Sequence, residues 1–422
     1  MRTKLTSHSG AVKQGRAASS PLVVIVVAGV VLSLCMGLRQ SLGLFLQPIR
    51  ADLGVSASAF GFALALQNLV WGLAQPVVGV FGDRYGPRPV LIGCAAIYAS
   101  GLVLMAWGGP LIGLNLGAGV LAGVGIAGCG FGVVLGAVSR AVPAEKRVPA
   151  VGIVSAAGSV ATLLIAPAGQ AVIEAHGWQA AALVFAAAAA AIGVVACFIG
   201  RPPARPERSE AAPNTSAAIG TAIRHPGFVA MTLAFFACGF QLQYITVHLP
   251  TYLGICGVST EISALALGVI GIANAIGSYV TGQLGARYSP KRLLAMIYLL
   301  RTLTIIAFVA LPVTAFSALA FAAVMGFLWL GVVPLVSGLV SRMFGLQHFN
   351  TLFGVAFFSH QVGGFAGAWL GGLSYDLTAS YATAWISMVV IGFCAFLLQW
   401  SMDDRDATSF RSVTGALARD TG

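Results

Sequence analysis

The feature that most constrains this sequence is a series of long, uninterrupted apolar runs separated by short polar segments. A helix needs about 20 mainly apolar residues to cross a membrane, and twelve such runs can be placed along the 422 residues. Because apolar and polar residues do not alternate within them, the runs predict helices and exclude a transmembrane β-barrel. The predicted spans are 22–49, 58–81, 89–108, 111–139, 148–173, 178–200, 227–253, 262–285, 293–312, 315–341, 349–373 and 380–401.

Charged residues are too scarce to cover a water-exposed surface. They make up 8% of the chain, against about 25% in soluble domains, which excludes a soluble enzyme and a disordered protein. A net charge of +11 would also fit nucleic-acid binding, so the positions of the basic residues along the chain must decide. Arg39 and Arg301 fall within spans, Arg50 falls in an external loop, and the other 20 of the 23 basic residues fall in cytoplasmic segments if both termini are inside. This is the positive-inside pattern of a membrane protein, and it excludes a nucleic-acid partner.

A polar segment in the middle divides the chain into two halves of six spans. We predict a cytoplasmic tail at 1–21, a six-helix bundle at 22–200, a cytoplasmic linker at 201–226, a second bundle at 227–401 and a cytoplasmic tail at 402–422. The linker is rich in Pro, Ala, Ser and charged residues, a composition typical of flexible segments. Seven cysteines, nearly all inside apolar runs and without metal-binding spacing, are interpreted as packing residues.

The two halves share a sequence repeat with a constant offset of 203 residues. Gly79-x-x-Gly82-x-Arg84-Tyr85-x-Pro87-Arg88 lies between spans 2 and 3, and Gly282-x-x-Gly285-x-Arg287-Tyr288-x-Pro290-Lys291 lies between spans 8 and 9. Internal repeats of this kind are typical of secondary transporters, which bind their substrates near the midplane between the halves.

The segment GVFGDRYGPRPVLIG at 79–93 resembles the signature loop of the major facilitator superfamily. The resemblance implies an all-α fold of twelve transmembrane helices in two pseudo-symmetric six-helix bundles. It also implies that this loop latches the outward-facing state. The latch residues would be Gly79, Gly82, Asp83, Arg84, Gly86, Arg88, Arg287 and Lys291. The second copy has Ala286 in place of Asp83, so we expect its latch to be weaker.

Further stretches narrow the resemblance to one branch of the superfamily. RQSLGLFLQPI at 39–49, GFLWLGVVPLVSGLV at 326–340 and the segment 359–385 look like the monocarboxylate-transporter-like and oxalate/formate-antiporter-like branch in its bacterial form. The family's antiporter motif in span 5 is only approached, by Gly152, Gly158 and Pro167, which favours symport. The resemblance implies no cofactor, no metal and no obligate protein partner.

Two arginines are predicted deep in the membrane without an acidic residue to pair with. Every carboxylate of the chain lies in a predicted loop or tail, whereas Arg39 and Arg301 lie well inside spans 1 and 9. An arginine at that depth costs about 3 kcal/mol on insertion scales, and its guanidinium matches a carboxylate bidentately. We predict both as substrate-binding residues. The alternatives are that Arg39 extends its side chain to the outer surface and that Arg301 bonds to carbonyls of neighbouring helices.

His360 lies near mid-depth of span 11, where the oxalate/formate branch has a substrate-binding lysine. Histidine titrates near physiological pH, so His360 is the candidate both for substrate binding and for proton coupling. The alternative is a neutral histidine that bonds to another helix.

The other candidate binding residues are polar or aromatic. In span 8, animal monocarboxylate transporters carry an Asp and, four residues later, a substrate-binding Arg, and the matching residues here are Asn274 and Ser278. Gln241 and Tyr244 share a face of span 7 that we expect to line the cavity, and Trp329 in span 10 is a candidate to flank the substrate.

These observations predict a secondary transporter, and not an enzyme, that moves a small organic anion by alternating access. A monocarboxylate carried with a proton across the bacterial inner membrane fits best, with both termini in the cytoplasm. The main alternative is a transporter of a neutral, vitamin-like or drug-like solute, which the uncharged pair in span 8 favours. A non-transporting sensor on the same fold is a further alternative.

Overall fold

The computed structural model describes residues 20–199 and 215–406, and nearly all of them are helical. Most of the predicted tails and part of the predicted linker lie outside these ranges. The described residues include twelve long helices in the predicted order: α1 Pro21–Leu53, α2 Ala57–Tyr85, α3 Pro87–Trp107, α4 Gly109–Ala141, α5 147–176, α6 178–196, α7 Pro226–Ile255, α8 Thr260–Arg287, α9 Pro290–Ala310, α10 Ala315–Phe344, α11 Phe349–Thr378 and α12 Ala382–Ser401.

Ten helical runs of the described chain are long and apolar enough to cross a membrane. One of them, Ala144–Ala196, contains both α5 and α6. The two helices are separate because Gly177 adopts φ 84° and breaks the helical run Arg147–Ala196. Glycine is the residue that takes up this conformation readily. The 30-residue α11 is not among the ten, and it carries Asn350, His360 and Gln361 within its length. The predicted twelve-helix, all-α fold is therefore confirmed.

Two features of the helices differ from the sequence prediction. Residues 328–331 interrupt α10 between the helical segments Ala315–Phe327 and Val332–Phe344. In addition, Thr215–Arg224 forms a helix within the linker that we expected to be flexible. Its sequence TSAAIGTAIR has enough alanine and isoleucine to support a short helix that packs against the start of α7.

The helices pack in the same pairs in both halves. In the first half α1 packs on α5, α2 on α4 and α3 on α6, and in the second half α7 packs on α11, α8 on α10 and α9 on α12. The equivalence of these pairs is what the 203-residue repeat predicts, and it gives two pseudo-symmetric six-helix bundles.

The bundles touch each other along two seams, α2 against α11 and α5 against α8. Glycines allow the backbones to approach closely at both seams. A Cβ at Gly79 would meet the backbone of Asn350, and a Cβ on either Gly152 or Gly282 would meet the Cα of the other. Small residues at helix interfaces permit this kind of contact. We call the membrane face that carries Arg84, Arg140, Arg147 and Arg287 the basic face, and both seams run up to it.

Asp83 joins the two bundles at the basic face. Its carboxylate accepts hydrogen bonds from the Asn350 N–H at 3.1 Å, and from the N–H and the Oγ1 hydroxyl of Thr351, both at 2.8 Å. These donors belong to the first turn of α11, where a helix favours a negative charge. Arg140 of α4 pairs with Asp83 at 2.6 Å and also donates to the Leu346 carbonyl at 3.1 Å. The predicted latch loop is therefore in contact with the opposite bundle.

Gly79 and Gly82 also lie against Asn350 of α11, whereas the remaining predicted latch residues do not share these contacts. Gly86 has φ 83° and forms the turn from α2 to α3. Arg84 is exposed and lies over the ring of Tyr85, and Arg88 is half-buried. In the second copy, Arg287 is exposed and Lys291 is partly exposed. There the contact to the opposite bundle comes from glycines, because Gly285 packs against the Val148 side chain.

We expect Asp83→Asn to open the basic face. The variant loses the ion pair with Arg140 and replaces charged hydrogen bonds, worth about 1.5–3 kcal/mol each, with weaker neutral ones. Double electron–electron resonance between spin labels at the exposed positions 85 and 347 measures the separation of the bundles. The population with the longer distance should rise at least tenfold.

The exposed Arg84→Gln variant of the same loop serves as the control and should leave the distance distribution unchanged. If Asp83→Asn also leaves it unchanged, the Asp83 contacts do not hold the basic face closed.

Candidate functional site

Arg39 lies inside α1 with only part of its hydrogen-bonding capacity used. Its Nη2 donates to the Asn68 side-chain oxygen of α2, and its Cζ lies 4.8 Å from the ring centroid of Trp71, a cation–π contact. The Nε group is buried without a hydrogen-bond partner. No salt bridge among the described residues involves Arg39. The guanidinium is therefore oriented by the protein but not neutralised by it.

Trp71 fixes the position of Arg39 and extends the site towards the second bundle. Its Nε1 donates to Gln75 Oε1 at 2.9 Å, and Gln75 in turn donates to the Ala127 carbonyl of α4 at 3.0 Å. The Trp71 ring packs against Phe357 of α11 at 4.9 Å between centroids and stacks on Phe131 of α4 at 6.5 Å. Aromatic side chains thus connect Arg39 to α11.

His360 lies on α11 at the other end of this aromatic contact. Its ring stacks on Phe357 with centroids 5.3 Å apart and packs on Phe235 of α7 at 4.8 Å. Its Nδ1 lies 3.1 Å from Gln361 Oε1, and the Gln361 amide nitrogen donates to the Asn68 carbonyl of α2 at 3.1 Å. The structure therefore brings together Arg39 and His360, which the sequence identified separately, through Asn68 and Gln361.

Arg301 does not belong to this site. It is fully buried, and its Nε and Nη2 donate to the Leu328 carbonyl at 3.0 and 2.7 Å. Nη2 also donates to the Trp329 carbonyl, and Nη1 donates to the Cys238 sulfur at 3.3 Å. The two carbonyls are at the break in α10, where they have lost their helical partners. Arg301 thus bonds to carbonyls of a neighbouring helix, which is the alternative that the sequence left open, and it lies outside the proposed substrate site.

Asn274 and Ser278 share one face of α8, as predicted, but their side chains are hydrogen-bonded to other groups of the protein. Asn274 Oδ1 accepts a bond from the Leu330 N–H at 2.8 Å, in the break of α10, and its amide nitrogen donates to Ser159 Oγ of α5 at 2.9 Å. Ser278 is fully buried and lies 3.5 Å from Asn274 Oδ1. The pair joins α8 to α10 and to the opposite bundle.

The predicted orientation of Gln241 and Tyr244 is wrong. Both are fully buried and point at α12, where Gln241 donates to the Met388 carbonyl at 3.3 Å and Tyr244 packs edge-on against Trp385 at 5.2 Å. Trp329 is also buried, and its carbonyl accepts a bond from Arg301. The contacts of these three residues lie within the second bundle.

Sequence reasoning missed three residues of this region: Trp71, Phe357 and Gln361. Trp71 carried a usable signal, because Asn68, Trp71 and Gln75 recur at helical spacing and therefore share one face of α2. Phe357 precedes His360 by three residues and shares its face in the same way.

We expect Arg301→Gln to destabilise the protein. The variant leaves carbonyls in the α10 break without a donor, at a cost of about 1–3 kcal/mol for each unsatisfied group. Arg301→Lys should also destabilise, because an ammonium cannot reproduce the fork of a guanidinium. Thermal unfolding in detergent, followed with a thiol-reactive dye, should show a midpoint several degrees lower for both variants.

Arg292→Gln, which alters an exposed arginine at the start of the same helix, should unfold like the wild type. An Arg301→Gln protein that is as stable as the wild type but inactive would return Arg301 to the substrate site.

Comparisons with known proteins agree with this architecture. The sequence description of the Major Facilitator Superfamily matches residues 25–368. Monocarboxylate transporter 11 of Mus musculus is 29% identical over 376 residues, which cover 86% of this chain and 83% of the relative. The oxalate:formate antiporter of Oxalobacter formigenes is 24% identical over 391 residues, 89% of each chain.

Solved structures show the same fold. The proton:xylose symporter XylE superposes with a TM-score of 0.73 at 15% identity, covering 93% of this chain and 98% of its own. The transporter FucP in its outward conformation gives a TM-score of 0.72 at 14% identity, with coverage of 91% and 99%. The twelve helices, the repeated loop and the matched family together establish that this chain belongs to the major facilitator superfamily and is a transmembrane transporter of that superfamily.

Proposed function

We propose that this transporter carries a small organic anion, a monocarboxylate, together with a proton by alternating access. The observation that carries the proposal is Arg39, an intramembrane guanidinium with a buried Nε that has no partner. We further propose that it works in the bacterial inner membrane with both termini in the cytoplasm, as the distribution of basic residues supports, and without an obligate protein partner.

The chemistry of Arg39 favours a carboxylate ligand. An unpaired arginine in the membrane interior costs about 3 kcal/mol on insertion scales, and the Asn68 amide oxygen and the Trp71 ring offset only part of this cost. A carboxylate accepts two parallel N–H bonds from a guanidinium and brings the missing negative charge. The names of the relatives point to the same ligand class, since they are a monocarboxylate transporter and an oxalate:formate antiporter.

The chemistry of His360 supports proton coupling. It is a buried imidazole at the seam of the two bundles, stacked on Phe357 and bonded to Gln361. Histidine changes its charge near physiological pH. Protonating it adds a positive charge near Arg39, and an entering anion offsets that charge.

Uptake into liposomes tests the proposal. Purified protein is reconstituted with an alkaline interior, and radiolabelled formate, acetate, lactate, pyruvate, oxalate and a neutral vitamin are offered at acidic external pH. Uptake of one or more carboxylates should depend on the pH gradient and stop when a protonophore removes it. If only the neutral solute enters, the alternative substrate class is correct.

We expect Arg39→Gln to reduce carboxylate uptake about 10–100-fold. The variant keeps a polar side chain near Asn68 but loses a charged hydrogen bond worth about 1.5–3 kcal/mol. Initial rates in the same liposomes measure the effect. Arg50→Gln, which removes an exposed arginine near the outer end of the same helix, should transport normally, and normal uptake by Arg39→Gln would refute the site.

We expect His360→Gln to abolish uptake driven by a pH gradient while preserving exchange of labelled for unlabelled substrate. Glutamine fills the site and forms hydrogen bonds, but it cannot take up a proton. Counterflow assays measure exchange without a gradient. His176→Gln at an exposed position is the matched control. Wild-type gradient-driven uptake by His360→Gln would show that the proton binds elsewhere.

A further inference from the structure

Asn68 is the residue of α2 at which three helices of the candidate site meet. Its side-chain oxygen accepts a hydrogen bond from Arg39 Nη2 of α1, and its backbone carbonyl accepts one from the Gln361 amide of α11 at 3.1 Å. Its own amide nitrogen donates to the Leu64 carbonyl of α2 at 3.3 Å. Because the nitrogen is engaged within α2, the oxygen is the atom that remains to face Arg39.

The position of this oxygen on the guanidinium of Arg39 matters for ligand binding. A carboxylate binds a guanidinium bidentately along one of two edges, Nε with Nη2 or Nη1 with Nη2. Both edges include Nη2, and of the guanidinium nitrogens Nη2 is the one that bonds to a described residue. The side chain is half-buried, so it remains accessible to a ligand. A carboxylate that enters either edge therefore meets the Asn68 oxygen.

Asn68 supplies Arg39 with an acceptor but not with a negative charge. No ion pair among the described residues involves Arg39, so the full positive charge remains available to a ligand. Hydrogen bonds between two charged groups are about twice as strong as neutral ones. A carboxylate therefore gains more from Nη2 than the amide oxygen does.

The same comparison turns against neutral solutes. The carbonyl or hydroxyl oxygen of a neutral solute is an acceptor of the same kind as the Asn68 oxygen, so exchanging one for the other gains little free energy. The Asn68 oxygen is also held in place by α2, whereas a solute must lose its freedom of motion to bind. An amide at this position therefore favours anionic over neutral ligands.

We propose that Asn68 is a specificity-determining residue of the transporter. Its amide oxygen binds Arg39 Nη2 while the site is empty, and a carboxylate of the substrate replaces it. Asn68 thus keeps the guanidinium in place without neutralising it, and a neutral solute does not displace the amide. The proposal deepens the proposed function and rests on it, because it explains how the same site distinguishes a carboxylate from a neutral solute.

Asn68→Asp should block the site with a carboxylate of the protein itself. A group attached beside its partner competes at a high effective concentration, so the KM for the carboxylate transported fastest in the panel above should rise about tenfold or more. The Leu64 carbonyl loses only the 3.3 Å bond from the side chain and keeps its helical bond from the Asn68 N–H. Initial rates in the same liposomes measure KM.

Asn68→Ala should have the opposite effect, because it removes the resident acceptor without adding a charge. The substrate then displaces nothing, and its KM should fall about 2–10-fold, which corresponds to one neutral hydrogen bond. A KM that rises instead would show that Asn68 serves only to orient Arg39.

Thermal unfolding tests the contact between a carboxylate and Arg39 without any substrate. Asn68→Asp is introduced into the full-length wild type and into Arg39→Gln, and each protein is unfolded in detergent. With Arg39 present the new charge has a partner, whereas in Arg39→Gln it lies in the membrane interior without one. The shift in unfolding midpoint that Asn68→Asp causes should therefore be several degrees more favourable in the presence of Arg39.

Gln40→Glu is the matched control, because it adds the same charge next to Arg39 in the chain but at an exposed position. Its shift in midpoint should not depend on Arg39. The proposal is overturned if Asn68→Asp keeps the wild-type KM, if Asn68→Ala fails to lower KM, or if the midpoint shift of Asn68→Asp is independent of Arg39. If the wild type transports no carboxylate, the proposed function fails, and the unfolding midpoints alone decide whether a carboxylate at position 68 binds Arg39.

Discussion

A guanidinium inside a membrane must find acceptors for its five N–H donors, and this requirement organises the interior of the protein. Arg301 satisfies it with backbone. The break at 328–331 frees carbonyls of α10 that would otherwise bond along the helix, and Arg301 binds those of Leu328 and Trp329. The unfavourable break and the unfavourable charge thus compensate each other. Arg39 satisfies the requirement only in part, because its buried Nε has no partner, and this difference in satisfied donors separates the two arginines.

The break in α10 also connects Arg301 to the seam between α5 and α8. Asn274 accepts a bond from the Leu330 N–H within the break and donates to Ser159 of the other bundle. An ionisable pair in span 8 would bring charge to this place, whereas the neutral pair here serves packing. The proposed substrate site therefore lies on α1, α2 and α11, whereas Asn274 of α8 and the break in α10 bond to other groups of the protein.

Much of the fold followed from the sequence because its causes are local. Apolar runs predicted the helices, and the 203-residue repeat predicted two equivalent bundles. Gly331 and Pro334 mark the break in α10, because a proline cannot donate a hydrogen bond to the carbonyl four residues earlier, here Leu330. The acceptors for Arg301, however, are backbone carbonyls, which carry no side-chain signal. The side of α7 that points to the cavity was ambiguous for another reason. The polar residues of this helix spread over most of its circumference and select no single face: Gln241, Gln243, Tyr244 and Thr246. The partners of Arg39 on α2, Asn68 and Trp71, share one helical face, but no pattern in the sequence pairs that face with α1.

The two bundles are joined in very different ways at different depths. In the membrane interior, the described contacts between them include two neutral hydrogen bonds, Gln361 to Asn68 and Asn274 to Ser159, each worth about 0.5–1.5 kcal/mol. At the basic face, the Asp83 carboxylate binds the first turn of α11 through charged hydrogen bonds, each worth about 1.5–3 kcal/mol. The polar contacts between the bundles are thus weaker in the centre than at the rim, and packing such as that of Trp71 on Phe357 adds to them in the interior. An occupied centre that weakens either neutral bond changes the energy balance by little on its own. One carboxylate at the rim therefore takes three hydrogen bonds from the opposite bundle, so the replacement of a single side chain, Asp83, removes all three charged contacts at once.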